Sequence, residues 1–420
     1  MNIYLYIYKI SLQINKKHIK QRTNIVKNRL LFQPFSLQIK INKHVMNISF
    51  WEKQTYFTDI DIAIIGSGIV GLNSAFCLKQ KYPELKVIVL EKGILPTGAS
   101  SKNAGFACFG SISELLDDIN NRSENNVFSL VEKRWRGLNK LRKNLGDSNI
   151  DFQNNGGFEL FKDKDSFNAC AEKMEYLNKN LSAIIGSTEI FKIADHKISG
   201  FGFKQTPHLI ENRYEGQIDT GKMIKALINK VHDSGVTILN SIDVKSVEDN
   251  GNSVEIIIND RFTITSKKVL IATNGFARQL LPELNVSPAR AQVLITSPIK
   301  NLALKGTFHY DRGFYYFRNI GNRVLLGGGR NLDLKGEETT MFGLTSLIQD
   351  SLEELLKTSV IPGCKYDIEQ RWSGIMGLGS SKDPIIKKIS ANVVCAVRLG
   401  GMGVAIGSLV GEEAADLVLS

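Results

Sequence analysis

A strand, a glycine-rich loop, a helix and a second strand follow one another at residues 59–91, and this unit constrains the fold more than any other feature. The first strand is apolar, and the loop GSGIVG after it has the GxGxxG spacing of dinucleotide-binding proteins. Tyr82-Pro83 ends the helix, and the second strand ends on Glu91. In this context the spacing predicts a Rossmann-like parallel sheet that binds a dinucleotide.

Each glycine of the loop has a physical role in such a site. Gly66 permits the tight turn, Gly68 lets the backbone approach a pyrophosphate, and Gly71 lets the helix pack closely on the strand. Free N–H groups at the helix N-terminus bind the phosphates, and Glu91 is placed to accept the ribose hydroxyls. The dinucleotide contacts predicted for this unit are Gly66, Gly68, Ile69, Val70, Gly71, Glu91 and Lys92.

The net charge of +11 is concentrated in residues 1–50, which hold seven Lys, two Arg and no acidic residue. The remaining +2 is too little for a nucleic-acid-binding face, so we expect no nucleic-acid partner. We interpret residues 1–50 as a basic leader, disordered or non-native, and we expect the protein to start at Met46 and to fold without the leader. A targeting or membrane-contacting arm is the alternative. The leader lacks an apolar run of about 18 residues, so we predict no transmembrane segment.

The five cysteines are scattered, with no CxxC and no Cys/His ligand spacing. This pattern predicts reduced, mostly buried thiols, no metal site and a cytoplasmic location. The six histidines form no catalytic arrangement, and we interpret them as surface or packing residues.

The stretch GASSKNAGF at residues 98–106 consists mostly of small residues and comes soon after the second strand. Its backbone amides and hydroxyls can run beside an extended dinucleotide and let a flat ring lie against the backbone, whereas a flexible surface loop is the alternative. The cofactor contacts predicted here are Ser100, Ser101, Asn103, Gly105 and Phe106.

GASSKNAG resembles the segment after the nucleotide loop in the D-amino-acid oxidase-like superfamily of FAD-dependent oxidoreductases, which includes glycine oxidase, sarcosine oxidase and D-amino-acid dehydrogenases. The resemblance covers residues 57–420, with further blocks at 216–247, 269–277, 371–379 and 397–418. It implies FAD rather than a nicotinamide, bound noncovalently because the matching positions carry no attaching Cys or His. The additional FAD contacts that it implies are Val244, Thr273, Asn274, Gly275, Arg398, Gly400, Gly401, Met402, Gly403 and Val404.

The predicted fold class is α/β, with an FAD-binding Rossmann-like domain on a parallel sheet interleaved with a second domain on an antiparallel sheet. Alternating Val, Ile, Tyr and Phe with polar turns over residues 286–333 predicts the antiparallel strands, and residues 336–358 predict an amphipathic helix. The boundaries expected are 51–149, 216–276 and 371–420 for the FAD domain, and 150–215 and 277–370 for the substrate domain.

The resemblance implies hydride transfer to flavin N5 from a CH–NH bond of an amine or amino-acid-derived substrate. Met376 stands where glycine oxidase-like relatives have the Arg that binds the substrate carboxylate, so another arginine must replace it for such substrates. No Lys occurs on strand 323–327, where the sarcosine oxidase group has one near N5, so the electron acceptor is either O2 or a quinone-type carrier. The substrate-contact candidates are Tyr310, Tyr315, Tyr316, Arg318, Arg330, Arg371 and Met376.

Three other functions remain open at the level of sequence. One is a D-amino-acid dehydrogenase that contacts a membrane peripherally and passes electrons to a quinone. Another is a tRNA-modifying flavoprotein, which the near-neutral body disfavours. The last is a flavin-binding protein without catalysis.

Overall fold

The computed structural model describes residues 47–259 and 262–420, and the leader before residue 47, with the expected start at Met46, lies outside them. The α-helices are α1 (Phe50–Tyr56), α2 (Ile69–Lys81), α3 (Ile112–Asn121), α4 (Glu124–Leu145), α5 (Lys164–Ile185), α6 (Ile198–Phe201), α7 (Thr220–Asp233), α8 (Ser346–Leu355) and α9 (Gly403–Leu419). Shorter 3-10 turns are Ala99–Ser101, Asp195–Lys197, Asn274–Gln279 and Arg330–Leu332, and a π turn is Leu356–Val360.

The strands are β1 (Ile60–Ile65), β2 (Val87–Leu90), β3 (Phe106–Ala107), β4 (Gly157–Phe161), β5 (Phe191–Ile193), β6 (His208–Asn212), β7 (Gly216–Gln217), β8 (Thr237–Leu239), β9 (Val244–Asp249), β10 (Val254–Ile258), β11 (Phe262–Ile271), β12 (Ser287–Thr296), β13 (Thr307–Tyr310), β14 (Tyr315–Ile320), β15 (Arg323–Gly328), β16 (Ile368–Leu378), β17 (Ile385–Lys388) and β18 (Val393–Val397).

The first sheet has the order β17-β18-β11-β1-β2-β8, and its central strands are parallel. The antiparallel pair β9 and β10 extends β11. Strands β1 and β2 are almost continuous apolar runs because helices cover them on one face and a second apolar cluster covers the other. The expected α/β class with a Rossmann-like parallel sheet is confirmed.

The second sheet has the order β16-β12-β15-β14-β13-β4-β6-β5 and is antiparallel except for the β13–β4 pair. Residues paired across neighbouring strands point to the same face. The register therefore places Glu159, His309, Tyr316, Gly327 and Val293 in one row on one face. The opposite face packs on α8 through the aromatic and aliphatic core that includes Phe308 and Phe317.

Two expectations about this half of the chain differ from the structure. Strand β16 bonds along β12 in the second sheet, although residues from 371 onward were expected in the FAD domain. The helix expected at 336–358 begins only at Ser346. The preceding segment is held instead by side chains, because Glu337 is buried and accepts two hydrogen bonds from Arg290 at 2.8 and 2.9 Å.

The cysteines agree with the expectation of free, mostly buried thiols. All five cysteines are free, and Cys364 alone is exposed while the other four are buried. Over residues 47–259 and 262–420, no helix has the length and apolarity to cross a bilayer.

Candidate active site

A cavity of about 500 Å³ lies where the glycine loop, the GASSKNAGF stretch and the second sheet meet. The N-termini of α2 and α9 both reach its wall, through Ile69 and Gly403. The row on the second sheet contributes His309, Tyr316 and Val293. Elements distant in sequence thus enclose one space of the size of a small-molecule site.

The glycine loop is shaped as dinucleotide binding requires. A Cβ on Gly66 would lie 2.9 Å from the Ala272 carbonyl oxygen, and one on Gly71 would lie 2.0 Å from the Gly66 oxygen, so both positions require glycine. A Cβ on Gly68 would approach only Ser100, whose Oγ is 3.0 Å away. Gly68 therefore leaves its backbone open on the side where a pyrophosphate would approach the N-terminus of α2.

The GASSKNAGF stretch forms a wall of the cavity that is held by hydrogen bonds, and it is not a flexible surface loop. Ser100 Oγ accepts the N–H of Ile69 at 2.9 Å, which joins the stretch to the N-terminus of α2. The Asn103 side chain donates to the Ser100 carbonyl oxygen at 2.8 Å and accepts from Gly105 N–H at 2.8 Å. Thr220 Oγ1 donates to the Asn103 side chain at 2.9 Å, so Asn103 holds the turn in shape.

Glu91 is buried and accepts four hydrogen bonds from the protein. Its Oε2 accepts from Ser67 N–H at 3.1 Å and from Ser67 Oγ at 2.7 Å. Its Oε1 accepts from Gly93 N–H at 3.0 Å and from Thr97 Oγ1 at 3.2 Å. The carboxylate therefore fixes the glycine loop itself, in addition to its predicted ribose contact. Lys92 points outward to Asp243, with Nζ 3.1 Å from Oδ1.

The second glycine-rich region closes the cavity from the C-terminal side. Asn274 Oδ1 accepts from Arg398 N–H at 3.0 Å and from Leu399 N–H at 3.3 Å. In the described residues, the buried Thr273 Oγ1 has no hydrogen-bond partner, and the N–H groups of Gly403 and Val404 have no acceptor. Such unbonded groups at a helix N-terminus suit the electron-rich edge of a flavin, so this region fits the cofactor that the sequence predicts.

The predicted cofactor residues divide into two groups by position. Those that line the cavity are Ile69, Ser100, Asn103, Phe106, Asn274, Gly400, Gly401, Met402, Gly403 and Val404. Those outside its lining are Gly66, Gly68, Val70, Gly71, Glu91, Lys92, Ser101, Gly105, Val244, Thr273, Gly275 and Arg398. A dinucleotide is longer than this cavity, so contacts with FAD stay predictions for both groups.

Three of the substrate candidates, Tyr316, Arg330 and Met376, line the cavity. Tyr315 lies on the opposite face of the sheet, where its hydroxyl is 3.0 Å from Ser351 Oγ. Arg371 also lies there and donates to Gln349 and Glu353 on α8. The alternation of the strands separates these two from the cavity. Tyr310 is likewise absent from the lining and packs on Tyr315, with ring centroids 5.8 Å apart.

Arg318 was expected to face the pocket and does not line it. The side chain shares a sheet face with Tyr316 but is buried, and its Nη1 donates to the carbonyl oxygens of Gly105 at 2.8 Å and Ile218 at 2.7 Å. Burial lowers the pKa of the guanidinium to about 10. Arg318 therefore ties the GASSKNAGF stretch to the segment before α7, and its contacts leave little capacity for a substrate carboxylate.

Arg330 is the candidate whose surroundings suit a ligand. It is half-buried at the cavity wall, and no hydrogen bond or ion pair joins its guanidinium to the described residues. Burial lowers its pKa from the ordinary arginine value, yet the group stays charged at neutral pH. Tyr316 stands on the same wall with its hydroxyl likewise unbonded to described residues, and burial raises its pKa to about 12.

Sequence reasoning missed a histidine and several acids at this site. His309 lines the cavity, contrary to the interpretation of the histidines as surface or packing residues. Glu114, Asp117 and Lys102 also line it. The pairing of His309 with Tyr316 across β13 and β14 is the signal that could have revealed the histidine, but it requires the register of the hairpin.

Two buried carboxyl groups lie next to this wall. Glu215 accepts the N–H groups of Phe109 at 3.0 Å and Gly110 at 3.2 Å, yet burial raises its pKa to about 8. Glu159 accepts the N–H of Ser113 at 3.0 Å, and burial raises its pKa to about 7. Both therefore hold a proton to a far higher pH than an exposed glutamate does.

Comparisons with known proteins identify the family of this chain. The family described as "FAD dependent oxidoreductase" (DAO) matches residues 61–417. The gamma-glutamylputrescine oxidoreductase of Escherichia coli (strain K12) is 23% identical, with 85% of this chain and 83% of that protein covered. The probable oxidoreductase OrdL of Haemophilus influenzae is 21% identical, with 87% and 84% covered.

Solved structures show the same fold. The L-proline dehydrogenase from P. horikoshii superposes with a TM-score of 0.68 at 18% identity, covering 86% of this chain and 93% of that one. The glycine oxidase from Geobacillus kaustophilus also has a TM-score of 0.68 at 18% identity, covering 86% and 94%. The family match spans both sheets and every element that lines the cavity, and the chain therefore belongs to the DAO family of FAD-dependent oxidoreductases.

Proposed function

We propose that this protein oxidises a CH–NH bond of an amine or amino-acid-derived substrate in the cavity, with FAD bound noncovalently. FAD supplies the acceptor for the hydride that leaves the carbon next to nitrogen. The similar proteins named above include a glycine oxidase, a proline dehydrogenase and a gamma-glutamylputrescine oxidoreductase, and each of these names refers to an amine or amino-acid substrate.

Different groups of this chain would bind different parts of the cofactor. The open backbone at Gly68 and the N-terminus of α2 would hold the pyrophosphate, and Glu91 would hold the adenosine ribose. The unbonded N–H groups of Gly403 and Val404 would stabilise negative charge on the flavin, since a helix N-terminus favours an anion. Phe106 and the GASSKNAGF backbone would exclude water from the other side.

Noncovalent attachment is supported by the state of the thiol that lines the cavity. This thiol, Cys108, is buried, and burial raises its pKa well above the ordinary cysteine value. Attachment through sulfur needs a thiolate, which this environment disfavours. Acid precipitation of the holoprotein should therefore release all of the flavin into the supernatant.

The observation that carries the substrate assignment is the unpartnered Arg330 at the cavity wall. A half-buried cation without a hydrogen-bonded partner is costly, and a carboxylate accepts both arms of a guanidinium at once. The Tyr316 hydroxyl, neutral at physiological pH, can add a third hydrogen bond. Arg330 thus takes over the carboxylate binding that Met376 cannot provide, so the substrate is an amine that also bears a carboxylate.

The sequence of β15 favours an electron acceptor other than O2. The face of that strand that lies in register with Tyr316 carries Gly327, Leu325 and Arg323 and no lysine. A quinone-type carrier or another protein would then reoxidise the flavin. Comparing the rate of flavin reoxidation by air-saturated buffer with that by a soluble quinone tests this choice directly.

The decisive experiment is anaerobic reduction of the bound flavin by a panel of amines. We expect bleaching of the flavin absorption by carboxylate-bearing amines, and slow bleaching by putrescine, which has no carboxylate. The panel includes gamma-glutamylputrescine, L-proline, iminodiacetate, sarcosine, glycine, D-alanine and putrescine. If none of them reduces the flavin at any pH, the proposed function is wrong.

Variants of Arg330 test the carboxylate assignment. Arg330→Ala should weaken apparent binding of the carboxylate-bearing substrate about 10- to 100-fold, the equivalent of roughly 1.5–3 kcal/mol. Arg330→Lys should restore little of it, because an ammonium cannot reproduce the planar fork. Arg323→Ala is the matched control, since Arg323 begins β15, the strand that precedes Arg330, but pairs with Glu369 away from the cavity. Unchanged substrate binding in Arg330→Ala would contradict the assignment.

A further inference from the structure

His309 has an arrangement that packing alone does not explain. It is 5% exposed, and its ring lines the cavity beside Phe106, with the two ring centroids 5.2 Å apart. Its Nε2 is buried and has no hydrogen-bond partner among the described residues. Nδ1 makes no hydrogen bond with those residues either. A histidine that packs for structure alone is normally hydrogen-bonded when it is buried this deeply.

Acidic groups from three other elements surround this ring. Glu215, just before β7, has Oε2 3.9 Å from His309 Nε2. Glu159 on β4 is the neighbour of His309 in register, and Glu114 on α3 acts on it by charge. Tyr316 on β14 is its neighbour on the other side and stays neutral because burial raises its pKa. Burial raises the pKa of Glu215 to about 8 and that of Glu159 to about 7, so Glu114 is the group among these that supplies negative charge near the ring at neutral pH.

We propose that His309 is the catalytic residue that removes a proton from the substrate's ammonium group before oxidation, with Glu114 nearby to supply negative charge and Glu215 facing Nε2. This inference rests on the proposed function, because it needs an amine in the cavity. Hydride loss from the carbon requires the electron pair of the neutral amine, whereas most amines are ammonium ions at neutral pH.

The proton balance of the step is simple. An N–H bond of the substrate ammonium breaks, its electron pair stays on the substrate nitrogen, and the proton bonds to Nδ1 of His309. Nε2–H then faces Oε2 of Glu215, 3.9 Å away, and no proton passes to that carboxyl group. The neutral amine can then lose a hydride from its α-carbon to become an imine, and bound FAD would supply the acceptor for that hydride.

The electrostatics of the free protein agree with this role. Burial lowers the pKa of His309 from its ordinary value, so the imidazole is neutral and able to accept a proton at pH 7. Burial also raises the pKa of Glu215 to about 8, so this carboxyl keeps its proton at pH 7 and does not itself balance the imidazolium. The negative charge of Glu114, which acts on the ring, favours the imidazolium instead.

The first test uses the wild-type holoprotein and the amine from the panel above that reduces it fastest. If His309 is the base, the rate of anaerobic flavin reduction at saturating substrate levels off well below the solution pKa of that amine. If the rate instead rises in proportion to the free-amine fraction up to about pH 10, the inference is wrong. This readout needs no variant and so does not depend on folding of a mutant.

The second test compares His309→Gln with the control His208→Gln. His208 stacks on Phe167 and pairs with Asp195, in a place that does not line the cavity. His309→Gln should slow flavin reduction about 100-fold at pH 7 and leave FAD occupancy unchanged. The difference in rate between His309→Gln and wild type should shrink to about 3-fold near pH 10, where the amine is neutral without deprotonation by the protein. His208→Gln should reduce at the wild-type rate at both pH values.

The outcomes separate this inference from the proposed function. Reduction by an amine with the same pH profile in His309→Gln and wild type would overturn the role of His309 and leave the proposed function intact. A uniform loss at every pH, together with lost flavin, would assign His309 a structural role and also overturn the inference. No reduction by any amine in wild type would overturn both.

Discussion

Glu91 is a residue at which cofactor binding and structural stability depend on the same carboxylate. Four donors from Ser67, Gly93 and Thr97 converge on it, so its removal leaves buried donors without acceptors. The spacing of the sequence predicts the ribose contact, but it cannot predict these structural bonds, because they depend on how the loop after β2 folds back.

We predict that Glu91→Ala raises the FAD dissociation constant and also lowers the free energy of unfolding of the apoprotein by about 1–3 kcal/mol. Glu91→Gln should lie between Ala and wild type, because its amide keeps one carbonyl acceptor. Thermal unfolding with and without FAD, and flavin retention on dilution, measure the two effects separately. Glu84→Ala, at an exposed position before β2, should change neither. A destabilised Glu91→Ala that still binds FAD normally would restrict Glu91 to its structural role.

Strand alternation predicted part of the substrate wall from sequence. It separated Tyr315 from Tyr316 correctly, since the two lie on opposite faces. Alternation could not show that Arg318 lies outside the cavity, because Arg318 shares a sheet face with the cavity residue Tyr316. The two differ only in their contacts, since Arg318 donates to backbone carbonyl oxygens that cover it. Arg330 follows the strand in a 3-10 turn, where alternation no longer applies, so only the folded chain shows that it is unpartnered.

At the scale of elements, the position of α9 depends on close contacts with two other helices. A Cβ on Gly411 would lie 2.7 Å from the Asn73 Cβ on α2, and one on Gly137 of α4 would lie 2.3 Å from the Ala405 carbonyl oxygen. Ser408 Oγ also donates to the Gly137 carbonyl oxygen. The N-terminus of α9 reaches the cavity, so these contacts set where its unbonded N–H groups lie.

We predict that Gly137→Ala destabilises the protein by about 1–3 kcal/mol, because the added methyl group has no room between α4 and α9. The displacement of α9 should also shift the flavin absorption maximum and increase flavin loss on dilution. Gly200→Ala is the matched control: a Cβ there would meet nothing within 4 Å, so stability and spectrum should stay as in wild type. A stable Gly137→Ala with an unchanged flavin spectrum would show that the helices can separate without moving the site.

At the scale of the whole molecule, the sequence predicted the class of fold and the cofactor family but not the sheet of every strand. The GxGxxG unit is local, so its meaning can be derived from neighbours in the chain. Strand β16 joins the second sheet through its long pairing with β12, a contact between residues about 80 positions apart that no local pattern reveals. The position of the buried acids near the cavity could not be predicted from sequence for the same reason. Glu159 and Glu215 are far apart in the chain and come together only through the second sheet.

These acids make the stability of the whole protein depend on pH, and Glu215→Gln tests this. The pKa of Glu215 is about 8 in the folded protein against an ordinary value of 4.5, so the folded state binds a proton that the unfolded chain loses first. Stability is therefore full below about pH 4.5 and is lost as pH rises toward 8, by at most about 1.4 kcal/mol for each pH unit. Glu215→Gln keeps an oxygen acceptor for Phe109 N–H and Gly110 N–H but has no proton to lose. The melting temperature of Glu215→Gln relative to wild type should rise between pH 5 and pH 8. The control Glu84→Gln should have the same pH dependence of melting temperature as wild type. If the melting temperatures of Glu215→Gln and wild type instead change in parallel with pH, Glu215 does not titrate in this range.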